Sequence, residues 1–187
     1  MKVLTHKDIE SLNIPPKTCL EWVTKAFKLK RSSQLPQKIS LKFDDNKFYN
    51  VMPCIINDLN YAGIKIISRY PERSPSLNSQ IMLFDKTTGE VMALLDGNWI
   101  TAMRTGAIAA LTVLTLAKKG FSSISIVGLG NTARATVDVL LSRLETKPLT
   151  IKLMKYKNEA QLFQDRYKYR YNNIKFEVYD SYETLFI

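Results

Sequence analysis

The sequence is poor in the residues that bind metals or cross-link small folds. Its 187 residues include two cysteines, Cys19 and Cys54, and one histidine, His6. The cysteines lack C-x-x-C spacing, so neither a zinc site nor a disulfide framework has enough ligands. This usage fits a reducing, cytoplasmic compartment. Long apolar runs are also missing: the longest uncharged one, Thr105 to Ala117, falls short of the about 20 residues of a membrane-spanning helix and reads as a buried helix. The opening segment MKVLTHKDIE has charges where a secretory signal needs apolar residues, so nothing points to secretion or to a membrane partner. There is no internal repeat and no low-complexity segment.

What is present is an ordinary globular composition, 45% hydrophobic, enough for one sizeable core or two small ones. The net charge of +10 admits nucleic acid, a membrane surface or an anionic small molecule as partner. The basic residues are spread along the chain apart from KAFKLKR and RYKYRYNN, and charge runs are usually solvated faces. Nucleic acid therefore ranks last, and an anionic ligand stays open.

Thr5 and Asp8 form a capping-box pattern, so a short helix is expected after Thr5. Cys19, Leu20, Val23, Ala26 and Phe27 recur at helical spacing and predict an amphipathic helix ending near Arg31, packed on a sheet. Strands are expected in KISLKF, FYNVMPCII, GIKIIS, and in QIMLFD and EVMALLD, the last two forming a hairpin through KTTG. The segment NWITAMRTGAIAALTVLTLAKKG reads as a helix with Lys118 and Lys119 in its last turn and Gly120 as its stop. Beyond Phe121 the pattern alternates: strand ISIVG, helix TARATVDVLLSRL, strand LTIKLMKY, helix NEAQLFQDRYKYR, strand IKFEVYD. That alternation indicates parallel β-α-β units. The expected architecture is α/β, with an N-terminal α+β domain over residues 1–120 and a Rossmann-type domain, truncated, over 121–187.

The stretch SISIVGLGNTAR carries the chemistry. In G-x-G-x-x-G/A the first glycine makes a tight turn, the second lets backbone approach a pyrophosphate, and the third small residue lets helix and strand pack. Gly128, Gly130 and Ala133 occupy those places, with Leu129, Asn131 and Thr132 between them, directly after an apolar strand and at a helix start. A dinucleotide site is the functional reading; a purely structural strand-turn-helix is the alternative. The acid that normally ends the second strand and binds the adenosine ribose is missing, and Lys155, Tyr156 and Lys157 stand there instead. Two ammonium groups attract a 2′-phosphate, so NADP(H) is favoured and NAD(H) possible, unless both lysines are merely solvated.

With that turn placed, the order and spacing of FYNVMPCII, AGIKIIS, FDKTTGEVMALLDGNWITAMRTGAIAAL and IVGLGNTARA resemble the ornithine cyclodeaminase/mu-crystallin family over almost the whole chain. The resemblance implies hydride transfer between a nicotinamide and a carbon bearing an amine or imine, as in cyclodeaminases, amino-acid dehydrogenases and imine reductases. It implies a small amino acid as substrate and a homodimer formed through the first domain's sheet. It places the substrate carboxylate among Lys38, Lys65 and Arg104, puts Met52 at the pocket lining, and adds Thr105 of the R-T pair to the cofactor side. Lys38 replaces an arginine of the family and loses the bidentate fork. The residues by themselves leave other roles open: Arg104 could pair with Asp96 or Asp85, Lys65 could point to solvent, and Met52 could be core. Thr132 stands where family members commonly have glutamine; its hydroxyl could bond a phosphate or cap the helix.

The family's catalytic aspartate falls beyond the third Rossmann strand, after Ile187, and Asp180 stands too early to replace it. A catalytic residue is accordingly expected only on a longer or completed form. The third strand is expected to present an edge that the SYETLFI tail cannot cover. The competing reading is a mu-crystallin-like protein that binds NADP(H) or a small ligand without turnover.

Overall fold

The computed structural model describes residues 1–186, which form two units. The first takes Met1–Pro15 and Glu21–Thr101; the second takes Pro16–Leu20 and the chain from Ala102 onward.

In the first unit, β1 (Lys2–Leu4) leads into α1 (His6–Ser11) through the expected capping box. The Asp8 amide donates to Thr5 Oγ1 at 3.3 Å, and the Thr5 amide donates to Asp8 Oδ2 at 2.8 Å. α2 (Pro16–Leu29) opens on a proline in its first turn, where no helical amide bond is lost. Cys19 and Leu20, its buried residues, lie in the segment that groups with the second unit, whereas Phe27 is half exposed.

Strands β2 (Ser33–Gln34), β3 (Ile39–Lys42), β4 (Phe48–Ile56), β5 (Tyr61–Arg69), β6 (Leu77–Asp85) and β7 (Val91–Asp96) complete a seven-stranded sheet. Its order is β1-β7-β6-β5-β4-β2, with β3 also paired to β4. Only β1 runs parallel to its neighbour; the other pairs are antiparallel. β6 and β7 form the expected hairpin, whose turn is held by Asp85 Oδ1 accepting the Thr87 and Thr88 amides at 2.7 and 3.0 Å. β4 tolerates Pro53 for a positional reason. β3 pairs with residues up to Val51 and β2 resumes at Ile55, so on that side of β4 the proline falls in the gap between the two partners.

Directly paired residues share a face of the sheet. Ser79, Ala93, Lys65 and Met52 lie on one face, and the first two are buried. Ile39, Leu41, Val51 and Ile66 lie on the other, where Ile39, Leu41 and Ile66 are exposed. On that same outer face Pro53, Ile55, Ala62, Ile64 and Phe84 border a hollow of about 260 Å³.

The second unit follows the expected alternation. α3 (Asn98–Leu116) continues from the first unit; then come β8 (Ser123–Ile126), α4 (Asn131–Leu144), β9 (Leu149–Met154), α5 (Glu159–Tyr167), β10 (Ile174–Tyr179) and α6 (Tyr182–Leu185). The three strands are parallel in the order β10-β9-β8. Val137, Leu140, Ile151, Leu153, Phe163 and Tyr167 are fully enclosed, and each such side chain contributes about 1.5–3 kcal/mol. α5 is tied to α4 by Tyr167, whose hydroxyl donates to the Arg134 carbonyl at 3.0 Å, and by Arg166 against Asp138 at 3.2 Å. The tail is more engaged than its sequence implied: Leu185 is fully buried, α6 packs on β9 and β10, and Ser125 Oγ on β8 donates to the Leu185 carbonyl at 3.1 Å.

α3 departs from expectation in two ways. It ends at Leu116, so Lys118 and Lys119 lie beyond its last turn, and Gly120 takes a positive φ of 77° in the connection to β8. By length and composition it could cross a membrane, and only one face is buried, with Met103, Gly106, Ala107 and Ala110 at helical spacing. Gly106 is where α3 meets α4: a Cβ there would lie 2.6 Å from the carbonyl carbon and Cβ of Ala135. Gly106→Ala should therefore cost about 1–3 kcal/mol, read as a lower urea midpoint. An unchanged midpoint would contradict this close approach.

Candidate functional site

In the second unit the glycine turn follows β8 and opens α4. Gly128 has φ 84°, a left-handed conformation that a side chain would strain. Leu129 is buried and anchors the turn, while Gly128, Gly130, Asn131 and Thr132 are exposed and Ala133 is half-buried. Gly130 is the N-cap and no side chain caps the helix, so the Thr132 hydroxyl does not perform the capping role open to it. The first amides of a 14-residue helix are left pointing outward at the positive end of its dipole. A Cβ at Gly130 would meet no atom within 4 Å, so the space in front of these amides is open. Free amides, a positive helix end and room for close approach suit a pyrophosphate.

β9 ends beside this turn, because Ile126 of β8 pairs with Leu153. The Lys155 amide donates to the Tyr179 carbonyl at 2.8 Å, extending the β9–β10 pairing by one residue. Lys155 Nζ lies 2.9 Å from Asp180 Oδ1. Lys157 has φ 49° and its ammonium stands 5.3 Å from the Tyr156 ring centroid. The glycine turn, the two lysines and Asp180 thus occupy the carboxyl ends of three parallel strands, the edge at which such sheets bind ligands. Asp180's pairing was missed by sequence reasoning because nothing in sequence links it to Lys155.

In the first unit Met52 and Lys65 are direct cross-strand partners on β4 and β5. Lys38 immediately precedes Ile39, the partner of Val51, so it falls at the strand end next to Met52. Met52 and Lys65 share the face of Ser79, and Lys38 lies one residue before β3. Lys65 is half-buried there, and its neighbour Ile66 takes the outer face, so Lys65 does not simply project to solvent on that open side. Lys38 is exposed.

The start of α3 is built on β6. The Ser79 amide donates to Asn98 Oδ1 at 2.8 Å, Ser79 Oγ meets Thr101 Oγ1 at 3.0 Å, and the Gly97 amide donates to the Ser79 carbonyl at 2.7 Å. Asp96 Oδ1 accepts the Asn98 amide at 2.9 Å and faces His6 Nδ1 at 3.4 Å. These contacts explain the D-G-x-x-I-T signature; Ser79 and Asn98 were not singled out in the sequence. Three residues after Thr101, Arg104 is exposed yet surrounded closely enough that desolvation lowers its pKa. Among the described residues it has no ion-pair or hydrogen-bond partner. Asp85 accepts amides within its own turn, and Asp96 accepts the Asn98 amide and faces His6. Thr105 follows it, half-buried. Burial pushes both thiols, Cys19 and Cys54, up, so neither is a ready nucleophile.

A model of the ornithine cyclodeaminase/mu-crystallin family matches residues 1–183. The chain belongs to this family. Among its relatives is a Delta(1)-pyrroline-2-carboxylate reductase of Bacillus cereus, 30% identical over 57% of this chain and 34% of that protein. The fold matches an archaeal alanine dehydrogenase dimer with bound NAD, with TM-score 0.86 and 26% identity over 98% of this chain and 57% of that one. It also matches the Thermococcus litoralis Delta(1)-pyrroline-2-carboxylate reductase in complex with NADH and L-proline, with TM-score 0.83 and 27% identity over 99% and 58%. The chain therefore spans about a third of the Bacillus relative and somewhat over half of each solved structure. Both solved structures are oxidoreductases holding a nicotinamide cofactor, NAD in the first and NADH in the second.

The two glycines of the family's turn separate by physics. Gly128→Ala should lower stability by about 1–2 kcal/mol through its positive φ, whereas Gly130→Ala, with φ −75° and open space, should leave the melting temperature within error. Equal losses in thermal unfolding would refute this account of the turn.

Proposed function

We propose that this chain forms the substrate-binding part and the first half of the nucleotide-binding part of a cytoplasmic NAD(P)-dependent amino-acid oxidoreductase. The observation that carries the reading is the uncapped start of α4 behind Gly128 and Gly130. Bound there, a nicotinamide cofactor supplies hydride transfer to or from a carbon bearing an amine or imine. Leu129 holds the turn, the amides from Asn131 through Ala133 face the pyrophosphate, and Thr105 adds a hydroxyl on the cofactor side. Lys155 and Lys157 favour a 2′-phosphate and hence NADP(H), with NAD(H) also accepted.

The substrate is a small amino acid or its imine. Arg104, which forms no ion pair among the described residues, and Lys65 fix its carboxylate; Lys38 adds a third positive charge and Met52 an apolar wall. A second copy of the chain covers the outer sheet face, where Ile39, Leu41 and Ile66 are exposed beside the hollow at Pro53 and Phe84. The alanine dehydrogenase relative is itself a dimer.

Tryptophan or NADPH fluorescence titration tests the cofactor site. Gly130→Ala should weaken dinucleotide binding about tenfold or more without loss of stability, since only a bound phosphate needs the space it fills. Undiminished binding would leave the turn a structural one. Arg104→Ala should weaken binding of small amino acids such as L-proline about tenfold or more and leave dinucleotide affinity within about twofold, as expected when a charged hydrogen bond is lost. Equal losses for both ligands would contradict its role. In sedimentation equilibrium the chain should be a dimer, and Ile66→Asp should shift it to monomer; a wild-type monomer would rule out the sheet-face pairing.

A further inference from the structure

The sequence places two ammonium groups where an adenosine ribose would lie, but the structure gives one of them a partner. Lys155 Nζ is 2.9 Å from Asp180 Oδ1, and both side chains are well exposed, 56% and 77%. The pair is not an accident of side-chain reach. Met154 and Tyr179 are register partners, and the Lys155 amide bonds to the Tyr179 carbonyl, so Lys155 and Asp180 are adjacent as soon as β9 and β10 end. Lys157 differs. Its left-handed backbone turns it toward Tyr156, and among the described residues it forms no ion pair. The next acid along, Glu159, faces Arg134 at 3.3 Å. Among the described residues the local balance is therefore one cation outside any ion pair, against Tyr156, and one shared with a carboxylate.

We propose that Asp180 is a specificity-determining residue for the cofactor: by holding Lys155 it limits the advantage of a 2′-phosphate and keeps NAD(H) acceptable. This rests on the dinucleotide reading given above. A phosphate monoester of charge about −1.5 to −2 must draw Lys155 away from Asp180 and lie close to that carboxylate. The pair is exposed and thus weak, so the competition reduces the preference without abolishing it. In NAD(H) the same position carries a hydroxyl, which can donate to Asp180. That carboxylate then stands in for the acid missing at the end of the second strand.

The test is fluorescence titration of the full chain with NADPH and NADH, for wild type, Asp180→Asn, Lys155→Gln and the double variant. Because Asp180 is exposed, Asp180→Asn should fold normally. It should raise the NADPH-to-NADH affinity ratio about three- to tenfold, the size expected for removing one solvent-screened charge near the phosphate. In the Lys155→Gln background the same substitution should raise the ratio at most half as much, because only the carboxylate's direct repulsion of the phosphate is then removed. An unchanged ratio in Asp180→Asn, or an equal rise with and without Lys155, overturns the proposal while leaving a nucleotide-binding protein. A wild-type chain that binds neither dinucleotide overturns the cofactor reading itself, and the proposal with it.

Discussion

The contact on which the first unit and the start of α3 depend is that between Gly97 and Ser79. Ser79 is a buried polar residue, 2% exposed, and burial without hydrogen bonds would cost about 1–3 kcal/mol per group. Each of its groups is engaged: amide with Asn98, carbonyl with Gly97, hydroxyl with Thr101. That engagement requires backbone to touch backbone, because a Cβ on Gly97 would stand 2.5 Å from Ser79 Oγ. The absence of one methyl group therefore lets the helix leave β7 directly over β6. Asp96 and Asn98 complete the junction, and the helix that follows carries Arg104 and Thr105.

The second unit obeys a different constraint. Its strands are all parallel, so their carboxyl ends gather at one edge, and whatever residues follow each strand are brought together there. After β8 comes a glycine turn with unbonded helix amides, after β9 a run of lysines, and after β10 an aspartate. Their charges interact because the strands are neighbours, not because the residues are near in sequence. The buried core beneath them, from Val137 to Tyr167, supports that edge.

Much of this was legible beforehand. The alternation after Phe121, the capping box at Thr5, the hairpin at KTTG and the glycine turn each rest on local chemistry, and each formed. β1 and β2 were missed because two or three residues carry no periodicity, and they exist only by pairing with β7 and β4. The helix stop was placed too late, since Gly120 does take the expected positive φ but serves the connection rather than α3 itself. Lys65 was ambiguous because alternation tells which residues share a face but not which face is covered.

The sequence by itself determined the α/β order of elements, the position of the glycine turn and the family, because these follow from spacing along a few residues. It determined, too, which side chains carry charge. The tertiary structure alone decided how those charges are used: Arg104 outside any ion pair among the described residues, Lys65 set on the covered face in line with Met52, and Lys155 matched with Asp180. Such pairings depend on strand register and on which face is buried, and both arise only when segments far apart in the chain pack together.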